Sequence, residues 1–257
     1  MTAVTTANPL LIVLTGPSGV GKDAIVSRMK EREMPFFYAV TATSRSQRPG
    51  EIDGIDYYFI DRSEFERMID NDEFLEWANV YGNLYGVPRK TVEQAMAKGK
   101  DAVVKVDIQG AATIKKIEPE AITIFIAPPS MEELARRLKE RKTESETDID
   151  LRLKTAQNEM DSRDSFDYVV VSPKNEIDKA ISEIMSIINE EKKRVSQRAG
   201  DTEQQRKRRE AAKGKTVDRL TPGRAGDEVI RIQRNPRRGF RLPLFLRKIR
   251  SRMKGKK

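Results

Sequence analysis

A glycine-rich run near the start of the chain has the residue types that bind phosphate. An apolar stretch, residues 10–14, precedes it, and a helix-like segment, residues 24–31, follows it. Glycines let backbone N–H groups turn toward one anion, while a helix N-terminus and a lysine add positive charge. The G-x-x-x-x-G-K spacing in this context predicts a loop that binds nucleotide phosphates. Its residues are Gly16, Pro17, Ser18, Gly19, Val20, Gly21, Lys22 and Asp23.

A second stretch, residues 41–59, has the composition of another anion site. Arg45 and Arg48 lie close together in a polar, turn-rich sequence, and Tyr57 adds a hydroxyl group. Two guanidinium groups can hold a phosphate through paired hydrogen bonds. Taken alone, the two arginines fit a solvated charged loop at least as well.

The composition excludes several kinds of chemistry. The chain of 257 residues has no cysteine and no histidine, so disulfides, thiol catalysis, histidine acid–base catalysis and Cys/His metal sites are excluded. Catalysis must therefore use Lys, Arg, Asp, Glu and backbone groups. No apolar run approaches the ~20 residues of a membrane span. No basic segment precedes the N-terminal apolar run, so a cytoplasmic protein is predicted.

Strand-like and helix-like segments alternate along the chain. Strands are predicted over residues 10–15, 38–42, 57–60, 102–106, 121–127 and 168–171, with another starting near 74. Helices are predicted over residues 23–33, 63–71, 89–98, 109–116, 130–141, 148–160 and 176–194, with capping boxes at Ser63 and Ser130. This alternation predicts an α/β fold with a parallel sheet, and ligands bind beyond the carboxyl ends of such strands.

Further motifs follow the glycine-rich run in a fixed order. They are S-R-x-x-R-P-G-E-x-D-G-x-D-Y-Y-F at 44–59, F-L-E-W at 74–77, N-x-Y-G at 83–86, V-D-I-Q-G-A at 106–111 and A-P-P-S at 127–130. In order and spacing the chain resembles the guanylate kinases over about residues 9–193. The combination is far more specific than the glycine loop, which alone indicates only a nucleoside triphosphatase.

The resemblance implies a GMP site and names its residues. Arg45, Arg48, Tyr57 and Tyr85 would hold the GMP phosphate, and Glu76 would accept hydrogen bonds from N1 and the 2-amino group of guanine. Thr41 stands where the family usually has a serine that helps to bind the base, and Asp107 would face the nucleotides. Without the resemblance, Glu76 beside Trp77 could equally form a surface salt bridge.

The resemblance also implies the architecture, a P-loop NTPase three-layer α/β/α fold with a parallel core sheet. A guanylate kinase-like domain would span residues 1–197, with its core in 9–36, 88–127 and 163–197. An inserted GMP-binding α+β region would occupy residues 37–87, and a helical lid 128–162. Lys22, Arg141 and Arg152 would be catalytic, whereas Arg136 and Arg137 are expected to be structural or peripheral.

The reaction implied is ATP + GMP to ADP + GDP with Mg²⁺, and dGMP is expected as a second acceptor. Phosphoryl transfer depends on positioning and cationic stabilisation, and the GMP phosphate is already an anionic nucleophile. A chain without histidine or cysteine can therefore catalyse it.

Two positions depart from the family pattern. Asp23 stands where a Ser or Thr binds Mg²⁺, and Lys105 stands where Asp or Glu is usual. In one interpretation Asp23 is a Mg²⁺ ligand, directly or through water, and Lys105 offsets its charge, with direct pairing as one way to do so. In the other, Asp23 favours its helix N-terminus and Lys105 points to solvent. Both remain open from the sequence.

Two rival functions also follow from the sequence. Lys22 followed by Asp23 resembles the ribose 1,5-bisphosphate phosphokinases, although Glu76 and the 44–59 motif resemble GMP enzymes. A guanylate kinase-like module without catalysis, which binds protein partners, is the other. Such modules lack loop or lid residues that are present here.

The C-terminal segment 198–257 does not match the family. It has 21 Lys and Arg against 6 Asp and Glu, a net charge of +15. The whole chain carries +9, so residues 1–197 carry −6. A largely disordered basic extension is expected, although residues 206–209 could extend the preceding helix. An amphipathic helix at 240–254 could contact nucleic acid, the ribosome, an anionic surface or a partner helix.

Overall fold

In the computed structural model, which describes residues 8–140, 146–173 and 176–212, a five-stranded sheet lies at the centre. The strands of the described residues are β1 Leu11–Thr15, β2 Phe37–Tyr38, β3 Thr41–Thr43, β4 Tyr57–Phe59, β5 Phe74–Val80, β6 Asn83–Pro88, β7 Ala102–Lys105, β8 Ile122–Ala127 and β9 Tyr168–Val171. The central sheet has the order β2-β7-β1-β8-β9, and all of its pairings are parallel. The predicted parallel α/β class is confirmed.

Helices cover both faces of this sheet. They are α1 Lys22–Glu31, α2 Arg62–Asp70, α3 Arg89–Ala97, α4 Ile108–Ile117, α5 Met131–Glu140, α6 Glu146–Asp161 and α7 Ile177–Ala212, with a 3₁₀ turn at Arg163–Ser165. Side chains alternate along β1, so Ile12 and Leu14 join a core with α1, α5, α6 and α7. Leu11 and Val13 pack on the opposite face against α3 and α4. This alternation produces three layers.

The remaining four strands form a second sheet. Its order is β4-β3-β6-β5, with β3–β4 parallel and the other two pairings antiparallel. A small core of its own holds α2 against it, where the rings of Phe65 and Phe74 stack 4.4 Å apart. Trp77 on β5 is 46% exposed.

The strand predicted over residues 38–42 is in fact two strands. Phe37 and Tyr38 pair with β7 in the central sheet, whereas Thr41–Thr43 joins the second sheet. The chain crosses between the sheets at residues 39 and 40, inside one apolar run that shows no break. The boundary expected at residue 37 therefore lies a few residues early, because β2 belongs to the core sheet.

The cap of α2 also differs from the prediction. Asp61 accepts a hydrogen bond of 2.7 Å from the backbone N–H of Glu64, so the N-cap lies two residues before the predicted Ser63 and the helix starts at Arg62. Asp and Ser are equally good N-caps, and the sequence offered both. At α5 the predicted cap is present, since Ser130 Oγ accepts from the N–H of Glu133 at 3.2 Å.

The last helix is longer than predicted. α7 extends to Ala212, which is 18 residues beyond the expected end at Arg194. Residues 198–212 are rich in Gln, Arg, Lys, Glu and Ala, all good helix formers, so the alternative that 206–209 extends the helix is the one observed. The rest of the extension, including the segment 240–254, lies outside the described residues. No helix of the described residues is long and apolar enough to cross a membrane.

Candidate active site

A cleft of about 260 Å³ opens where the carboxyl ends of the central strands face the second sheet. It is lined by nearly all of the residues predicted from the sequence. They are Gly16, Ser18, Gly19, Val20, Gly21, Lys22, Asp23, Thr41, Arg45, Arg48, Tyr57, Glu76, Tyr85, Asp107 and Arg152. Pro17 does not line the cleft, and Arg141 lies outside the described residues. Two predicted anion sites from separate parts of the chain thus share one cavity.

The phosphate loop depends on two glycines. Gly16 has φ +138°, and a Cβ there would overlap the carbonyl oxygen of Ile126 on β8. Gly21 has φ +107° and stands immediately before α1, in a left-handed conformation that L side chains rarely adopt. These conformations turn the loop back over the N-terminus of α1. Lys22 Nζ donates to the backbone carbonyls of Gly16 and, at 3.1 Å, Pro17.

Arg137 braces this loop from outside the cleft. Its guanidinium donates to the carbonyl oxygens of Val20 and Ser172, both at 2.8 Å, and to Glu133. Arg136 instead pairs with Glu133 and Glu140 on the exposed side of α5. The contacts of both arginines agree with the structural or peripheral role predicted for them.

One charged residue of the cleft is missing from the sequence prediction. Glu159 on α6 lines the cavity with Arg152 and Thr155, at helical spacings of three and four residues that put all three on one face. Burial raises the pKa of Glu159, while Lys22 opposes that rise. Burial lowers the pKa of Lys22 to about 8, against the attraction of Asp23 and Glu159. The sequence signal that could have identified Glu159 is its spacing of seven residues, two helical turns, from Arg152.

On the other side of the cleft, Arg45 is held in a fixed orientation. Glu51 accepts two hydrogen bonds of 2.8 Å from its guanidinium nitrogens and a third from the N–H of Arg48. The Nε of Arg45 donates to the hydroxyl of Tyr85 at 3.3 Å, and its guanidinium lies 5.1 Å from the ring centre of Tyr57. The loop is therefore an ordered group of donors rather than a solvated charged loop.

Glu76 lines the same cleft as Arg45 and is almost fully buried. The residue is 5% exposed, and its Oε2 has no hydrogen-bond partner among the described residues. Burial, and after it the charge of Asp107, raises the pKa of Glu76 to about 8. A Cβ on Gly110 would come within 2.5 Å of Oε2, so the glycine leaves room for the carboxyl group. The surface salt bridge considered for Glu76 is not observed.

Asp107 and Thr41 sit between the two halves. Asp107 follows β7 and caps α4, accepting a hydrogen bond of 2.7 Å from the N–H of Gly110. The hydroxyl of Thr41 is buried and lies 3.4 Å from the carbonyl oxygen of Lys105. The Thr41 contact connects the second sheet to the end of core strand β7.

The helix α6 carries Arg152 over the phosphate loop. Nη1 of Arg152 donates to Ser18 Oγ at 2.9 Å, and the guanidinium lies 4.9 Å from the ring centre of Tyr81 in the β5–β6 turn. Arg152, a residue of the predicted lid, thus contacts both the phosphate loop and the turn of the second sheet.

The two departures from the family pattern meet in the structure. Lys105 Nζ forms an ion pair with Oδ1 of Asp23, and the lysine side chain is 16% exposed. The alternative in which Lys105 points to solvent is therefore wrong, and the direct pairing is present. Asp23 lies in the first turn of α1, whose N-cap Gly21 has no side chain to cap it.

A model of the guanylate kinase family matches residues 8–191 of this chain. The chain belongs to the guanylate kinase family. It is 44% identical over 192 residues to a guanylate kinase of Carboxydothermus hydrogenoformans, covering 74% of this chain and 93% of that one. It is 47% identical to the chloroplastic/mitochondrial guanylate kinase 2 of Oryza sativa, covering 74% and 67%.

A solved structure agrees with the sequence comparisons. The crystal structure of a guanylate kinase from Anaplasma phagocytophilum superposes with a TM-score of 0.60 at 36% identity, over 72% of this chain and 87% of that one. Guanylate kinases are ATP:GMP phosphotransferases, so the predicted fold and enzyme class are confirmed for the family to which this chain belongs.

Proposed function

We propose that this chain transfers the γ-phosphoryl group of ATP to GMP through the residues that line the cleft. ATP phosphates bind at residues 16–23. The GMP phosphate binds to Arg45, Arg48, Tyr57 and Tyr85, with guanine at Glu76, Thr41 and Asp107. The proposed acceptor contacts are to base and phosphate, which supports dGMP as a second acceptor.

One observation carries this proposal: Oε2 of Glu76 is buried and has no hydrogen-bond partner in the part of the chain that the structure describes. A carboxylate there can accept from guanine N1–H and the 2-amino group together, whereas adenine has no such pair of donors on that edge. Leaving a buried polar group unpaired costs roughly 1–3 kcal/mol, so a site built this way rejects a base that cannot supply the donors.

Cationic side chains supply the transition-state stabilisation. We assign Lys22, Arg152 and Arg141 to the transferring phosphoryl group, since charge spreads over its oxygens in the transition state. The contacts of Arg152 with Ser18 of the loop and with Tyr81 beside the second sheet support this assignment. Closure of the 128–162 lid over the cleft would exclude water that could hydrolyse ATP.

Mg²⁺ bound with ATP is the proposed cofactor, and the donor set of the cleft is compatible with it. The carboxylate of Asp23 lines the cleft directly after Lys22. Among the described residues no three His, Cys, Asp or Glu side chains form a metal-binding group. Mg²⁺ commonly binds through substrate phosphates, water and one or two carboxylates, so Asp23 would suffice, directly or through water. The bound ion would neutralise developing charge on the phosphates.

A direct acceptor comparison tests the proposal. Purified protein with ATP and Mg²⁺ is given GMP, dGMP, AMP or ribose 1,5-bisphosphate, and ADP formation is coupled to NADH oxidation. We expect rapid turnover with GMP, measurable turnover with dGMP, and at least about 10⁴-fold lower kcat/KM with AMP. Glu76→Gln should reduce the preference for GMP over AMP. Turnover of ribose 1,5-bisphosphate without turnover of GMP would overturn the assignment.

A further inference from the structure

One lysine links the two halves of the cleft. Lys105 is the last residue of β7, and its ammonium contacts both sides of the cavity. It pairs with Asp23 at the start of α1 and donates a hydrogen bond of 3.1 Å to the hydroxyl oxygen of Tyr57 on β4. The phosphate-loop helix and the second sheet are therefore connected through a single side chain.

The direction of the Lys105–Tyr57 hydrogen bond is fixed by chemistry. A lysine ammonium has three donors and no acceptor, so the phenol oxygen must accept and its own hydrogen must point to another group. Tyr85 is in the same situation, because its oxygen accepts from Nε of Arg45 at 3.3 Å. Both hydroxyls line the half of the cleft that contains Arg48. Each phenol therefore has a hydrogen to donate to an anion there.

Two groups hold the Lys105 ammonium. Asp23 supplies the opposite charge, and Tyr57 accepts one of its hydrogen bonds. The ammonium also lies 4.5 Å from the ring centre of Tyr57, within the range of a cation–π interaction. Two independent contacts thus hold the same lysine against the same tyrosine.

We propose that Lys105 is a positioning residue for the acceptor: anchored by Asp23, its ammonium orients the Tyr57 hydroxyl to donate to the acceptor phosphate. This rests on the proposed function, in which Tyr57 binds the phosphate of GMP. Lys105 acts through the tyrosine and makes its own hydrogen bonds to protein groups.

The first test compares two ligands on one variant. Lys105→Met removes the ammonium and keeps an unbranched side chain of similar length. We expect the Kd for GMP, measured by calorimetry without ATP, to rise about tenfold or more, as for loss of one hydrogen bond to a charged group. The inhibition constant of guanosine, which has no phosphate, should stay within twofold. An equal loss for GMP and guanosine would show general damage to the cleft and overturn the proposal.

Controls separate this effect from a change of net charge. Lys90→Met alters an exposed lysine on α3 and should leave both constants unchanged. If Lys105→Met is unstable, Lys105→Gln provides the same test, because an amide can accept from the phenol as well as donate to it. The GMP Kd should then still rise severalfold, and an unchanged value would count against the proposal.

The second test uses Tyr57→Phe, which should itself raise the Kd for GMP. In that background Lys105→Met should add less than a twofold further rise, since the lysine acts through the hydroxyl. Full multiplication of the two effects would overturn the proposal. The outcomes distinguish two failures: no GMP turnover in the unmodified chain rejects the function, whereas normal turnover with an unchanged Kd in Lys105→Met rejects only the role of Lys105.

Discussion

Glu76 is a buried carboxyl group for which we propose a role in recognising guanine. Glu76 is 5% exposed, and burial makes its ionised form costly. The negative charge of Asp107 adds to that cost, so the pKa of Glu76 rises to about 8. The same desolvation makes the carboxylate a stronger partner for guanine once it is ionised. Binding of GMP should therefore favour loss of the Glu76 proton.

We predict that GMP binds more tightly as the pH rises toward and past the pKa of Glu76. Below pH 8 the carboxyl is mostly protonated, so the Kd for GMP without ATP should fall close to tenfold between about pH 7 and 8.5. Lys22, with a pKa of about 8, loses positive charge over the same range and cannot tighten binding of an anion. Calorimetry at several pH values measures the slope.

Glu76→Gln is the control for this titration, because the amide does not ionise. The variant should bind GMP weakly at every pH, with a much flatter slope. If the slope survives the substitution, another group is responsible for it.

Residue motifs predicted most of the cleft, but contacts decided the rest. Arg45 and Arg48 were predicted from their residue type and proximity in the sequence, and Glu76 from the resemblance to the guanylate kinases, and all three line the cleft. Arg137 and Glu159 have no such motif: the first was distinguished from Arg136 only by its bonds to Val20 and Ser172, and the second only by the side of α6 that faces the cleft.

At the scale of elements, α6 determines where the lid charge lies. The face of α6 that lines the cleft carries Arg152, Thr155 and Glu159. The position of the Arg152 guanidinium above the phosphate loop therefore depends on the position of the whole helix. The neighbouring α5 anchors the loop from behind through Arg137. Of these two consecutive helices, α6 thus lines the cleft, whereas α5 holds the phosphate loop from outside it.

We predict that Arg152→Ala lowers kcat by about 10³-fold while the Kd for GMP changes by less than about threefold, by analogy with arginine fingers. Steady-state kinetics and GMP titration of the same preparation provide both values. Arg136→Ala, an arginine on the exposed side of α5, should retain nearly full kcat. Turnover of Arg152→Ala within tenfold of the unmodified chain would remove Arg152 from the catalytic set.

Element prediction failed where tertiary pairing overrides local pattern. Residues 37–43 contain no Gly, Pro or charged residue that would mark a break, but the first part pairs with β7 and the second with β6, a division that depends on two different partners. β6 contains Asn83, Gly86 and Pro88, residues that disfavour strands, and its pairing with β3 and β5 supplies the stability that propensity lacks.

At the scale of the whole molecule, the kinase architecture ends before the chain does. The core contributions of α7 come from five isoleucines, Ala180 and Met185 between residues 177 and 188, and Val195 is the last described residue that packs against that core. The helix nevertheless extends to Ala212. The cationic extension therefore begins on a continuous helix, and contact with nucleic acid, the ribosome or an anionic surface remains a prediction from its composition.

We predict that a chain ending at Gln197 folds and keeps kcat and KM for GMP within about twofold, because it retains the matched residues 8–191 and Val195, the last described contact of α7 with the core. Circular dichroism melting and the coupled assay measure both properties. A large drop in melting temperature or loss of turnover would show that residues beyond 197 belong to the catalytic domain.

The chain's single tryptophan has a practical consequence. Trp77 follows Glu76 on β5, half open to solvent, while Glu76 is buried in the cleft. An indole on the strand that is proposed to bind guanine, but not itself lining the cavity, is a built-in fluorophore. Its emission should report nucleotide titrations of every variant without a dye label or an engineered cysteine.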